Sequence, residues 1–254
     1  MIEIENRGEV CLLRMQHGKV NSMDLEFCQG LTSAFKDIAA NKSRAVVLTG
    51  QGSAFSAGVD LLRLLKEDID YTRQFLQALS DLFETVFSIA KPVVAAINGH
   101  AIAGGCILAC TADYRILAKG SARMGVPELR VGVPFPPMAL EIMRFAVADR
   151  HFQSLTLGGE TCSVDRALET GLVDLLEEPD SLLDKAMAFA ADYASLNSSA
   201  FGLSKQLIRD PVLQRVARMN KEFESEIDEI WCSQQTRTYI RNFVEKTFGS
   251  GKKG

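Results

Sequence analysis

The sequence predicts an α/β fold, a core of mostly parallel strands joined by helices and followed by a helical C-terminal region. Three observations carry this prediction. Short β-branched runs bounded by turn residues, RAVVLTG, PVVAAIN and YRILA, alternate with helical stretches through residue 147, an order that implies right-handed β-α-β crossovers. These runs are apolar throughout instead of alternating, as strands covered on both faces are. Beyond residue 147 helical spacing dominates, broken by one weak strand signal, LVDLLE.

Taken in order, IEIE alternates, turns at Asn6 to Gly8 and continues as VCLLRM, the pattern of a β-hairpin. From Asp24 to Asn41, Leu25, Cys28, Leu31, Phe35, Ile38 and Ala39 recur at helical spacing behind Ser22 and Met23. Arg44 to Gly50 is a buried strand, and QGSAFSAG is a loop of small residues. One helical stretch is expected from Leu61 to Ile89, then the strand PVVAAIN, the turn GHA and a short apolar helix opening at Gly104. YRILA is the third strand, and the prolines of GVPELRVGVPFPP mark turns. Helices are then expected around Leu155 and Arg166, and over Leu182 to Leu196, Gly202 to Ile208 and Val212 to Lys246. No sequence repeat or low-complexity block is evident.

The chain has 254 residues, 47% hydrophobic and 24% charged, with a net charge of −4. This is a globular balance for one domain with appendages, and it offers no basic excess for nucleic acid or an anionic membrane surface. The charge-free stretch from Val93 to Ala112 is long enough to span a bilayer, but Asn98, Gly99, His100, Gly104 and Gly105 divide it into strand, turn and helix. Six cysteines lie scattered without a C-x-x-C pair, and the three histidines fall in unrelated segments, so no metal site is expected. Cys106 and Cys110 share one helix face as small buried groups. A reducing compartment is expected from the cysteines. The N-terminus lacks a signal or transit pattern and GSGKKG matches no retrieval signal, so the expected location is cytoplasmic.

Two loops stand out for chemistry. SAFSAGVDL and GHAIAGG each place small residues after a strand and before a helix, where free N–H groups can meet negative charge on oxygen. On neighbouring parallel strands, the N–H groups of Val59 and Gly104 would converge as an oxyanion hole; the plainer reading is close packing through glycine. Other motifs fail. Phe55 stands where a dinucleotide fingerprint needs its third glycine, and GHAIAGGC lacks the lysine and hydroxyl of a P-loop. AFSAG around Ser56, with Asp113 and His151 following, is a degenerate nucleophile elbow.

The segments FSAGVDL, KPVVAAINGHAIAGGCILACTADYRILA and PELRVGVPFP resemble the crotonase, or enoyl-CoA hydratase/isomerase, superfamily. The resemblance runs nearly end to end, from KVNSMDLEF through ALETGLVD to the C-terminal helices. It implies a crotonase-like β-β-α superhelix, an acyl-CoA substrate, and an oxyanion hole at Val59 and Gly104 for the thioester oxygen. Hydratases of this family use two glutamates; here the first position is Ile107 and the second is Glu128. AGGCILACTADYRILA with VGVPFP is most similar to the Δ3,Δ2-enoyl-CoA isomerase branch, in which one glutamate shuttles the proton. Burial among Val126, Leu129, Val131 and Val133 is expected to raise the Glu128 pKa, whereas charge statistics alone would pair Glu128 with Arg123 or Arg130.

The resemblance further implies substrate contacts at Lys19 near KVNS, at Ala57, Asp60 and Arg63 around the first oxyanion loop, and at Lys246 and Phe248 for the nucleotide end. Phe135 is expected to wall the acyl pocket with Pro136 and Pro137, two prolines that also suit a helix start. Coenzyme A enters only as part of the substrate thioester, with no separate cofactor. A core over 1–195 and a helical region over 196–254 for oligomerisation and site cover are expected, as is a homotrimer or hexamer. The competing readings are another crotonase reaction (hydration, thioester hydrolysis or decarboxylation) and a non-catalytic binding scaffold.

Overall fold

The computed structural model describes residues 2–248. Strands β1 (Ile2–Arg7) and β2 (Val10–Met15) form the antiparallel hairpin, with Ile2 opposite Met15. A short β3 (Ser22–Met23) precedes α1 (Leu25–Ala40), whose N-cap Asp24 accepts the Phe27 N–H at 2.8 Å. β4 (Ala45–Gly50), β5 (Ala54–Ser56), β6 (Gly58–Val59), α2 (Leu61–Lys66) and α3 (Ile69–Ser88) follow. Next come β7 (Val93–Ile97), β8 (His100–Ile102), α4 (Gly104–Cys110), β9 (Tyr114–Ala118), β10 (Met124–Gly125) and α5 (Glu128–Val131). The remainder is α6 (Pro137–Ala146), α7 (Asp149–Gly158), β11 (Thr161–Cys162), α8 (Val164–Thr170), β12 (Leu175–Glu177), α9 (Leu182–Ser195), α10 (Ser198–Cys232) and α11 (Gln234–Phe248).

The large sheet has six strands in the order β1-β2-β4-β7-β9-β12, parallel after the first hairpin. A smaller sheet, β11-β10-β8-β5, and the pair β3-β6 lie beside it. The chain thus repeats one path: β4, β7 and β9 enter the large sheet, β5, β8 and β10 enter the small one, and each pair leads on to helix. This β-β-α spiral is a repeat of backbone placement that leaves no repeat in the sequence. The pleat sends Leu13, Leu48, Ala95 and Leu117 of the large sheet toward Phe27, Phe35, Phe83 and Phe87 of α1 and α3. The opposite face, Leu12, Val47, Val94 and Ile116, is covered by Leu182, Ala186 and Ala190 of α9.

Four expectations change, the first at the loop QGSAFSAG, within which Ala54 to Ser56 form β5 by pairing with β8. The single helix over 61–89 is two, because Asp68 accepts the Tyr71 N–H at 2.8 Å and starts α3 afresh after Glu67. The expected break between Ile208 and Val212 is absent: α10 runs through Pro211. Buried anchors on both sides, Lys205 and Arg209 before it and Val212 and Val216 after it, hold the helix together against a local cost of about 3 kcal/mol. The break comes later, at Ser233, whose hydroxyl accepts the Thr236 N–H at 3.0 Å. The GHA turn is strand β8, held by parallel pairing to β5 and β10.

Asp113 anchors the start of β9 as a hub. Its Oδ2 accepts the Val93 N–H at 2.8 Å and the Lys205 ammonium at 2.6 Å, while Oδ1 accepts Arg209 at 2.6 Å. Arg209 also donates to the Phe87 carbonyl and lies 4.2 Å from that ring's centre. The charge-free stretch 93–112 is divided among β7, β8 and α4, and among the described residues no helix is long and apolar enough to cross a membrane.

Candidate active site

The β3-β6 ladder joins two loops distant in sequence. Ser22 pairs with Gly58 and Met23 with Val59, and the Ala57 N–H donates to the Val20 carbonyl at 2.9 Å. This sets the exposed turn carrying Lys19 beside Ala57 to Asp60. Asn21 fixes the turn from within. In a left-handed conformation (φ 50°) that asparagine tolerates, it donates to the Ala54 and Phe55 carbonyls at 3.3 and 3.1 Å and accepts the His17 N–H at 2.8 Å. The Ser56 hydroxyl is buried and donates to the Asn21 carbonyl at 2.7 Å. Asp113 is held by Lys205 and Arg209, and His151 accepts from Arg150, so no Ser-His-Asp arrangement forms.

The Asp60 N–H donates to the Met23 carbonyl at 2.9 Å, so the extended backbone turns the preceding N–H, that of Val59, away from β3. The start of α4 comes close to Gly58. A β-carbon on Gly58 would lie 2.5 Å from the Ile102 carbonyl oxygen and 3.3 Å from the Gly104 nitrogen. Gly58 also has φ 81°, so glycine answers both the close approach and the turn. The Gly104 N–H is the first of α4, and Ala103 before it is held at φ 51° and ψ −125° by its N–H to the Gly125 carbonyl, 2.8 Å. The plainer reading of the two loops therefore holds: Gly58 packs them together, and β6, which carries Val59, lies against the start of α4.

The Gly125 contact continues into the third part of the site. Met124 and Gly125 pair with Ala101 and Ile102, and three residues on, Glu128 opens α5. It is 7% exposed. Its Oε2 is buried with no hydrogen-bond partner. Burial pushes the carboxyl up to about 8, with a smaller opposing pull from its own backbone N–H. The alternative pairing with arginine does not occur: Arg130 donates to the Gly158 and Gly159 carbonyls and Arg123 to the Thr161 carbonyl. Neighbouring α4 presents Cys106, whose thiol is pushed up by burial, by Cys110 and by Glu128, and then Ile107, 2% exposed.

The other expected contact residues take definite places. Asp60 caps α2, accepting the Arg63 N–H at 2.9 Å. Arg63 pairs with Glu67 at 2.8 Å and Glu26 at 3.4 Å, and its guanidinium lies 5.4 Å from the Tyr71 ring centre. Phe135 is half-buried against the main core, and Pro136 and Pro137 start α6. Lys246 is exposed near the end of α11, and the Phe248 side chain lies outside the described residues. Sequence reasoning missed Trp231, whose indole N–H donates to the Pro134 carbonyl at 3.0 Å, and Arg237, which reaches α2.

Comparison with known proteins bears on the family and the fold. The enoyl-CoA hydratase/isomerase family description matches residues 5–249. A putative enoyl-CoA hydratase of Thermus thermophilus is 32% identical over 213 residues, 82% of this chain and 83% of that protein. Human mitochondrial enoyl-CoA delta isomerase 1 is 25% identical over 253 residues, 97% of this chain and 84% of that protein. In fold, the crystal structure of human mitochondrial delta3-delta2-enoyl-CoA isomerase superposes with a TM-score of 0.92 at 24% identity, covering 100% of this chain and 99% of that one. With a family match spanning nearly the whole chain, this protein belongs to the enoyl-CoA hydratase/isomerase family.

Proposed function

We propose that this enzyme shifts the double bond of a 3-enoyl-CoA to the 2-position, with Glu128 as the proton shuttle. The observation that carries this reading is the buried Glu128 carboxyl, unpaired at Oε2, with the aliphatic Ile107 at the α4 position where the resemblance puts the second glutamate that a hydratase needs to hold and activate water. Glu128, as carboxylate, takes a proton from C2; the C2–H electrons move toward the thioester oxygen, giving a dienolate. The N–H groups of Val59 and Gly104 receive that negative charge, each worth about 3 kcal/mol in a preorganised site. Glu128 then returns the proton to C4, and the step closes with no net proton change.

In the same reading, Lys19, Ala57, Asp60, Arg63 and Lys246 surround the coenzyme A portion, and Phe135 walls the acyl chain. Coenzyme A comes and goes with the substrate. Leu203, Leu207 and Ile208 stand exposed on α10 and would be covered by assembly into a trimer or a pair of trimers.

Hydration is the second reading, favoured by the higher identity to the Thermus protein; hydrolysis and decarboxylation would draw on the same pair of N–H groups. The deciding assay supplies trans-3- and cis-3-hexenoyl-CoA and reads trans-2-enoyl-CoA, with crotonyl-CoA hydration in parallel. Isomerisation lost in Glu128→Gln, with little hydration, is expected. Hydration outpacing isomerisation would move the assignment, and binding without turnover would favour a scaffold.

A further inference from the structure

Helix α11 touches both halves of the proposed site. Its inward face is Thr236, Ile240 and Val244, one turn apart and buried. On one flank, Arg237 donates to the carbonyls of Leu64 at 3.2 Å, Leu65 at 2.8 Å and Glu67 at 3.1 Å. These carbonyls lie at the C-terminal end of α2, where a helix has no internal donors left. α2 is the segment that follows Val59 and Asp60 directly. On the other flank, Tyr239 rests on Gly132: a β-carbon there would lie 2.8 Å from Tyr239 Cβ and 3.1 Å from its Cγ. Gly132 ends α5, and its N–H returns to the Glu128 carbonyl at 3.0 Å. A single turn of α11 therefore fastens the segment of Val59 to the segment of Glu128.

Resting on the isomerase reading, we propose that Arg237 is a positioning residue, which registers α2 against α11 and so sets the separation between the Val59 N–H and the Glu128 carboxyl. A guanidinium suits the task because its fork meets several carbonyls at once, where an ammonium is a point donor. Arg237 acts through backbone and reaches no reacting atom, so its removal would alter the chemical step more than the capture of substrate.

The test compares wild type, Arg237→Ala and Arg237→Lys on trans-3-hexenoyl-CoA, with and without millimolar guanidinium chloride, and follows amide hydrogen exchange of residues 59–67 in the free proteins. Arg237→Ala is expected to lose at least about tenfold in kcat, with KM changed less than about threefold. Guanidinium should restore much of that loss without affecting wild type, and Arg237→Lys should fall between. Exchange over 59–67 should quicken in Arg237→Ala. An unchanged kcat, or a loss that follows the unfolded fraction and is not restored by guanidinium, would overturn the proposal. Should Arg237→Ala not fold, Arg237→Lys decides by the same kcat and exchange readouts. A wild type that does not isomerise defeats the functional reading instead, and the exchange of 59–67 then decides by itself whether Arg237 fastens α2.

Discussion

Gly58 opens directly onto the backbone of Gly104: a β-carbon on the first would stand 3.3 Å from the amide nitrogen of the second. The contact spans two segments separated by a helix pair and two strands, and it exists because β5 and β8 are neighbours in the small sheet.

Gly58→Ala should damage stability and turnover together. The new methyl would lie 2.5 Å from the Ile102 carbonyl oxygen, in a residue held at φ 81°. A loss of about 1–3 kcal/mol in urea unfolding is expected, with kcat down at least about tenfold as Val59 and Gly104 move apart. Full activity in a folded Gly58→Ala protein would separate this contact from catalysis.

The Glu128 carboxyl, at about 8 in the fold against an ordinary 4.5, makes both activity and stability pH-dependent. The reaction needs the carboxylate, so kcat/KM should rise with pH to a midpoint near about 8. Stability runs the other way. The folded state keeps a proton that the unfolded chain gives up, so this contribution is fully present below about 4.5 and lost as pH rises through about 8. Glu128→Gln cannot ionise, and its melting temperature should gain on wild type between pH about 5 and about 9. A constant difference over that range would place the titration elsewhere.

Asp113→Asn should be among the most damaging changes in the core. It leaves Lys205 and Arg209 as buried cations without their shared carboxylate. Breaking such a cluster costs about 3–5 kcal/mol, read as a lowered urea midpoint. The exposed pair Arg7 and Glu5 makes the contrast: Glu5→Gln should leave the midpoint nearly unchanged.

Gly132→Ala tests the seat of Glu128. The residue has φ 94° and meets Tyr239, so alanine there should cost about 1–3 kcal/mol and tilt α5. Because Glu128 opens that helix, the pH midpoint of activity should shift with it. A midpoint equal to that of wild type would show α5 to be insensitive to its own C-cap.

What the sequence made legible follows from length and locality. Cys28, Leu31, Phe35 and Ile38 recur at helical spacing and are buried in α1, and the runs around Val47, Val94 and Ile116 are long enough to read as strands. Glu128 and its neighbours were found by resemblance, and its burial by the apolar residues around it. Strands β3, β5, β6, β8, β10 and β11 escape the sequence reading because two or three residues carry no alternation; distant partners hold them. Arg237 escaped for the same reason, since its acceptors lie about 170 positions earlier. Asp68 was readable as a cap, but the apolar periodicity on both sides masked it.

The donors proposed for the thioester oxygen belong to the main chain, and side-chain exchange at Val59 does not remove an amide. Substitutions at positions 107 and 128 can therefore accumulate in descendants while the means of polarising a thioester is inherited intact. Innovation on such a frame would begin from a partly functional ancestor, with few genetic steps between one reaction and the next.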